Sequence, residues 1–201
     1  MISADKAPLK GLLLCGGYST RMQEDKSNIN YYGMPQWQYM VQLLSTQLPE
    51  VYISCRPDQL NTITGFSSYP HVIPDAVDAG GPSAGLLSAY AQQPETAWLV
   101  VACDLPLLTA HSLELLISSR DSSKAATSFI SPFNNLPEPL IAIWEPAALA
   151  QLKTNVLAGL QQCPRKTLLS TDIKILENPW SDEQFNANTP AEKSTILNKI
   201  R

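Results

Sequence analysis

The sequence predicts an α/β protein with a mostly parallel central sheet and helices on both faces. Three observations carry this. Strand-like and helix-like segments alternate over about the first 120 of the 201 residues, the pattern of parallel strands joined by crossover helices. Two of the strand-like runs, Lys10–Cys15 past its leading lysine and Ala97–Cys103, are apolar, as buried strands are. Five of the nine glycines fall in two clusters, Gly16-Gly17 and Gly80-Gly81 with Gly85, each just after a predicted strand. That edge is where open parallel sheets bind ligands.

Taken in order, Lys10–Cys15 reads as the first strand, and residues 16–35 as a long polar segment carrying Arg and Lys. Trp37, Met40, Val41, Leu44 and Leu48 then share one helical face, with Gln38, Gln42 and Ser45 opposite, until Pro49 stops the helix. Val51–Cys55 is strand-like and is ended by Arg56-Pro57, and His71–Asp75 is a further short strand. Gly80-Gly81-Pro82 opens a helix over about Ser83–Gln92. Ala97–Cys103 is the clearest buried strand, and Thr109 to about Ser119 is amphipathic through Leu113, Leu116 and Ile117. The rest is less regular: strands over Ala125–Ile130, Leu140–Trp144 and Ile173–Leu176, and a helix over Ala147–Leu160. Thr189-Pro190-Ala191-Glu192 starts a last helix, with Thr as N-cap, Pro at N1 and Glu closing a capping box. No internal repeat, low-complexity tract or linker divides the chain, so one domain is expected, with a regular first part over about residues 8–120 and a less regular second part over about 121–201.

Composition excludes several classes. With 44% hydrophobic and 16% charged residues, the chain can build a core and is not disordered. It has no apolar run of about 18 residues, so no membrane span is expected. Its N-terminus lacks the pattern of a secretory signal, so a cytoplasmic protein is expected. A net charge of −4 argues against an electrostatic nucleic-acid binder. Cys15, Cys55, Cys103 and Cys163 form no CxxC and read as small buried apolar residues. His71 and His111 are isolated, which disfavours a histidine metal cluster. No GxSxG nucleophile elbow is present.

The chemistry concentrates at the predicted sheet edge. In Leu14-Cys15-Gly16-Gly17, followed by Arg21 and Lys26, a glycine pair supplies close-approaching amide donors and two cations follow. A polyphosphate asks for that combination, although neither a Walker A loop nor GxGxxG is present. Asp104 ends the most buried strand; a carboxylate there either caps a neighbouring turn or holds Mg²⁺. With a phosphate loop at the same edge, the metal reading is preferred. Asp75 and Asp78 are weaker candidates of the same kind. Asn186 and Asn188 alternate in an extended segment and point the same way, to read a base, sugar or pterin, or else Asn188 serves the helix turn.

These blocks resemble the molybdenum cofactor guanylyltransferases, within the wider set of Rossmann-like nucleotidyltransferases, over nearly the whole chain. Leu14-Cys15-Gly16-Gly17 through Arg21-Met22 to Asp25-Lys26 resembles the LAGGxSxRMGxDK signature, and Gly33-Met34-Pro35-Gln36-Trp37-Gln38 the entry to the next helix. Asp75 with Gly81-Pro82-Ser83-Ala84-Gly85 resembles D…GPLAG, Cys103-Asp104-Leu105-Pro106 resembles CDxP, and Asn186-Ala187-Asn188-Thr189-Pro190 resembles NxNTP. The resemblance implies a Rossmann-like three-layer sandwich and a Mg²⁺-dependent transfer of GMP from GTP to the phosphate of molybdopterin, with release of pyrophosphate. It implies nucleotide contacts at Leu14, Cys15, Gly16, Gly17, Lys26, Ser54, Asp75 and Gly81, and acceptor contacts at Ser83, Asn186 and Asn188. Arg21, Lys26 and Asp104 would be catalytic, with Mg²⁺ on Asp104. Transient contact with other cofactor-assembly proteins follows by the same analogy.

The chain departs from the family at Cys15 for Ala, Gln23 for Gly, Ser83 for Leu, and Ser54 where some members carry Asn. Pro137-Glu138-Pro139-Leu140 stands where many members have a His-Pro pair. Two alternatives therefore stay open: a nucleotidyltransferase using CTP or another phosphorylated acceptor such as a sugar phosphate, and a non-catalytic nucleotide-binding protein on the same scaffold.

Overall fold

A computed structural model describes residues 6–22, 24–160 and 162–200. The departure noted at Gln23 lies outside the described residues. Seven strands form one sheet: β1 (Leu9–Leu14), β2 (Val51–Cys55), β3 (Val72–Pro74), β4 (Ala97–Ala102), β5 (Ala126–Ile130), β6 (Pro137–Trp144) and β7 (Ile173–Leu176). Their order is β3-β2-β1-β4-β6-β5-β7. β1 pairs in parallel with β2 and β4, β2 with β3, and β5 with β7, while β6 runs antiparallel to both β4 and β5. The sheet is mostly parallel, as expected, and takes strands from both halves of the chain.

Alternation along the buried strands sends successive side chains to opposite faces. Leu13, Ile53, Leu99, Val101, Ile141 and Ile143 pack on one face with Met40 and Leu44 of α1 (Gln36–Ser45) and Leu113 and Leu116 of α4 (Ala110–Ser118). Leu12, Leu14, Trp98, Val100, Ala142 and Trp144 meet the other helices across the opposite face. Those helices are α3 (Pro82–Gln92), α5 (Pro146–Leu157) and α6 (Pro164–Leu169), through Leu86, Leu149 and Leu168. Three layers result.

Several boundaries differ from the sequence expectation: α1 ends at Ser45, short of Pro49, and two others differ for a local reason. β6 begins at Pro137 rather than Leu140. Pro137 and Pro139 lack the amide of a regular ladder, but the pairing with β5 is irregular there, between Ser128 and Ile130, so the missing donors are tolerated. α5 ends at Leu157 rather than Leu160, because Gly159 at φ +64° closes a Schellman motif: its N–H reaches Val156 O, and Leu160 N–H reaches Asn155 O. α6 and the single-turn α2 (Gln59–Thr62) carry too few residues for periodicity to reveal them.

The chain winds outward from β1 through β2 to β3, then returns to β4 on the other side of β1. The carboxyl ends of β1 and β4 therefore flank the topological switch point, where a crevice opens in such sheets. A third apolar cluster lies above it. Met22 and Ile29 of the loop after β1 pack with Ala187 and with Ile196 of α7 (Pro190–Ile200). This packing carries the C-terminal segment onto the switch point. No described helix is long and apolar enough to cross a membrane.

Candidate active site

The loop after β1 is folded from within. Asp25 caps a one-turn 3-10 helix over Lys26–Asn28, its Oδ1 accepting from Ser27 N (3.0 Å) and Ser27 Oγ (2.6 Å). The buried Gln59 amide nitrogen donates to Asp25 Oδ2 (2.8 Å) and to Cys15 O (3.0 Å), tying both ends of the loop to α2. Ser19, at φ +51°, turns the chain so that its Oγ accepts from Lys26 N–H at 3.1 Å. These constraints place the Lys26 side chain inward. Its Nζ donates to Asp104 Oδ2 (2.9 Å) and to Asn188 Oδ1 (2.6 Å). Asn186 Nδ2 donates to Asp104 Oδ1 (2.8 Å), and Ala187 N–H to Asp104 O (2.9 Å). A lysine, an aspartate and two asparagines from three distant segments thus meet at one point.

A cleft of about 160 Å³ opens beside this cluster. Among the sequence-predicted residues, Leu14, Cys15, Gly16, Gly17, Lys26, Ser54, Asp75, Gly81 and Asp104 line it. A larger residue would be strained at several of the lining glycines, Gly85 beside Ser54 among them. A Cβ on Gly16 would stand 2.5 Å from Asp75 Oδ2, and Gly81 at φ +59° holds a backbone shape that L side chains rarely adopt.

Other predicted residues stand elsewhere. Arg21 is exposed and outside the cleft lining. Ser83 does not face the cleft either: it is fully buried, and its hydroxyl donates to Gln162 O. A small polar residue replaces Leu at this place because a backbone carbonyl waits for it. Asn188 serves the helix turn through its backbone and the Lys26 cluster through its side chain. Its side chain takes the Lys26 proton donor, while its N–H donates to Glu192 Oε2 (2.8 Å). The capping carboxylate of Glu192 thus reaches one residue further back than Thr189, whose Oγ1 accepts from Glu192 N–H at 3.3 Å. Asp78 is not among the cleft residues. Cys15, Cys55 and Cys103 are buried, as expected of small apolar residues, but Cys163 is exposed just ahead of α6. Burial, helped by the adjacent Cys103 thiol, pushes the Cys15 thiol well up, and burial pushes Cys55 up to about 12, so neither is a nucleophile at neutral pH.

Sequence reading missed Ser19 and Leu140, which also line the cleft, and Gln59 and Arg56, which grip the loop from outside. The one available signal was position: Arg56 directly follows β2, at the same sheet edge as Asp104.

Asp75 accepts from Ser54 Oγ at 2.7 Å, yet burial outweighs that bond and the nearby Arg56, so its carboxyl titrates above the ordinary 3.8. A raised carboxyl pKa means that ionisation is penalised in the folded state. The penalty is fully present above the folded pKa and disappears as pH falls to the unfolded value. Asp75→Asn, which keeps the acceptor for Ser54, is therefore expected to raise the melting temperature at pH 7. The gain should shrink as pH is lowered toward the carboxylate range. Melting curves across pH check this, and an unchanged or lowered melting temperature at pH 7 would refute it.

Among the described residues no three His, Cys, Asp or Glu side chains gather as a metal cage. A single carboxylate at a phosphate site nonetheless suits Mg²⁺, which is commonly held by one or two carboxylates, with substrate phosphates and water completing the shell. Asp104, at the cleft with one oxygen facing Lys26 and the other Asn186, fits that role.

The fold is that of the Rossmann-like nucleotidyltransferases. It superposes on molybdopterin-guanine dinucleotide biosynthesis protein A from Archaeoglobus fulgidus with a TM-score of 0.78, covering 94% of this chain and 97% of that one at 21% identity. The model of the MobA-like NTP transferase domain matches residues 11–171, and the chain belongs to that family. It is 33% identical, over 95% of its length, to the molybdenum cofactor biosynthesis bifunctional protein of Synechocystis sp., of which it spans 54%, about half. It is 32% identical to the molybdenum cofactor guanylyltransferase of Serratia proteamaculans, covering 82% of this chain and 79% of that one. The chain is thus a MobA-like NTP transferase domain, similar over most of its length to molybdenum cofactor guanylyltransferases.

Proposed function

We propose that the protein transfers GMP from GTP to the terminal phosphate of molybdopterin and releases pyrophosphate, with Mg²⁺ as cofactor. The observation that carries this is the meeting of Lys26 with Asp104 and Asn188 at the mouth of a glycine-lined cleft. The first half, about residues 8–120, supplies the nucleotide side, and the second half, about 121–201, supplies Asn186 and Asn188 on the acceptor side. The free thiols of Cys15, Cys55, Cys103 and Cys163 suit a reducing cytoplasm.

In this mechanism an acceptor phosphate oxygen attacks the α-phosphorus in line. One O–P bond forms, the bond from the α-phosphorus to the bridging oxygen breaks, and pyrophosphate leaves with the electron pair. A phosphate is already an anion near neutral pH, so no general base is needed. The difficulty is bringing two anions together, and positioning with charge neutralisation addresses it. In this reading Lys26 meets the nucleotide phosphates, and the Gly16-Gly17 amides offer further donors. Arg21 stands outside the lining, and its role requires the exposed part of the loop to fold inward onto bound nucleotide. Asp104 would hold Mg²⁺, which when bound neutralises phosphate charge and polarises the reacting phosphorus. Asp75 and Ser54, hydrogen-bonded to each other, face the nucleoside.

The Ser54 hydroxyl is engaged by Asp75 where some relatives place an amide, and this favours keeping CTP as the second nucleotide to test. Pyrophosphate release is measured with GTP, CTP, ATP and UTP, each with molybdopterin carrying molybdenum and with sugar phosphates. Selective release with GTP and molybdopterin is expected. Release with CTP alone, or with a sugar phosphate alone, would replace the assignment.

A further inference from the structure

Arg56 grips the glycine loop by its carbonyl oxygens. Its Nη1 donates to Gly16 O (3.1 Å) and to Gly17 O (2.6 Å). Asp58 holds the guanidinium from the other side, with Nε to Oδ1 at 3.1 Å and Nη2 to Oδ2 at 3.0 Å, and Asp25 Oδ2 lies 3.9 Å from Nη2. The exposed ring of Tyr18 covers it, with its centroid 4.6 Å away. Arg56 itself does not line the cleft.

A trans peptide points its C=O and the following N–H in opposite directions. With the carbonyls of Gly16 and Gly17 both turned to one cation, the N–H groups of Gly17 and Tyr18 turn away from it. Among the described residues, the amides of Gly16, Gly17, Tyr18 and Ser19 have no hydrogen-bond acceptor. Successive unpaired amides on one side of a loop form an anion-binding nest. Two adjacent glycines do not hold such a shape alone, because each loses much backbone freedom when fixed.

We propose that Arg56 is a positioning residue: it clamps two carbonyls so that the loop amides stand pre-oriented toward the polyphosphate of the nucleotide. The proposal rests on nucleotidyl transfer at this loop. It assigns Arg56 a role through the backbone, without contact to the substrate.

The test is calorimetric binding of Mg²⁺-GTP, inorganic tripolyphosphate and guanosine to wild type and to Arg56→Met, Arg56→Gln and Arg56→Lys. Arg56→Met is expected to weaken GTP and tripolyphosphate at least tenfold and to leave guanosine unchanged. Arg56→Gln, uncharged but still a donor, should recover part of that loss. A merely structural residue would move guanosine and phosphate affinities together. Tripolyphosphate binding by Arg56→Met equal to wild type overturns the proposal. So does full recovery by Arg56→Lys with none by Arg56→Gln, since charge and not the clamp would then be at work. If Arg56→Met fails to fold, the Gln and Lys variants decide. A wild type that binds tripolyphosphate but does not prefer GTP to the other nucleotides overturns the guanylyl assignment and leaves the clamp standing; one that binds no tripolyphosphate overturns the clamp.

Discussion

Lys26→Ala and Asp104→Ala are each expected to lower pyrophosphate release by about 10²–10³-fold, the usual cost of removing one preorganised group that meets transition-state charge. The two side chains touch at 2.9 Å, and each holds one asparagine, Lys26 holding Asn188 and Asp104 holding Asn186. They act as one unit, so the double variant should lose little more than either single one. Both stand at the cleft, 17% exposed, where water can take the place of a missing partner. The loss of stability should therefore stay near about 1 kcal/mol, the scale of a solvent-reached ion pair. Turnover by purified variants, read beside urea unfolding, separates the two effects. Normal turnover by either folded variant would remove Lys26 and Asp104 from the mechanism.

Much of this cluster was legible because its members lie beside strong local signals. Asp104 follows the most apolar strand, Gly16-Gly17 follows another, and Asn188 precedes a capped helix. The juxtaposition of Lys26 with Asn188 was not legible from spacing, since 162 positions separate them and tertiary packing, such as that of Met22 and Ile29 against Ile196, closes that distance. Ser83 shows the reverse limit. Its place in a ligand-like motif suggested a contact, but whether a helical side chain faces a cleft or the Gln162 carbonyl depends on a segment nearly 80 residues later. Arg56 was passed over because an arginine after a strand has many uses, and only three-dimensional geometry shows two carbonyls within its reach. The fold was easier to read. Buried strands and amphipathic helices announce themselves by periodicity, whereas the antiparallel direction of β6 depends on which neighbour it finds, and residues do not encode that locally.

Arg120→Met is expected to have the largest effect on stability, with no direct effect on the site. Arg120 Nε and Nη2 donate to Glu145 Oε1 and Oε2 at 2.6 and 2.8 Å, and Nη2 also reaches Ala7 O at 2.9 Å. Both side chains are about 95% buried, at 4% and 5% exposure. The pair ties the segment entering β1 to the end of β6, far from the cleft at the strands' other ends. Removing the guanidinium leaves the Glu145 carboxylate buried and unpaired, a situation that costs roughly 3–5 kcal/mol. For a chain of this size that is a fall in melting temperature of about 10 °C, from roughly 2–4 °C per kcal/mol. The pair as a whole contributes far less than the damage of breaking it, because two charges were desolvated to form it. Arg120→Met with Glu145→Met should therefore recover most of the loss, provided the new side chains pack. A double variant as unstable as the worse single one would show that the ion pair itself, and not the orphaned charge, carries the stability.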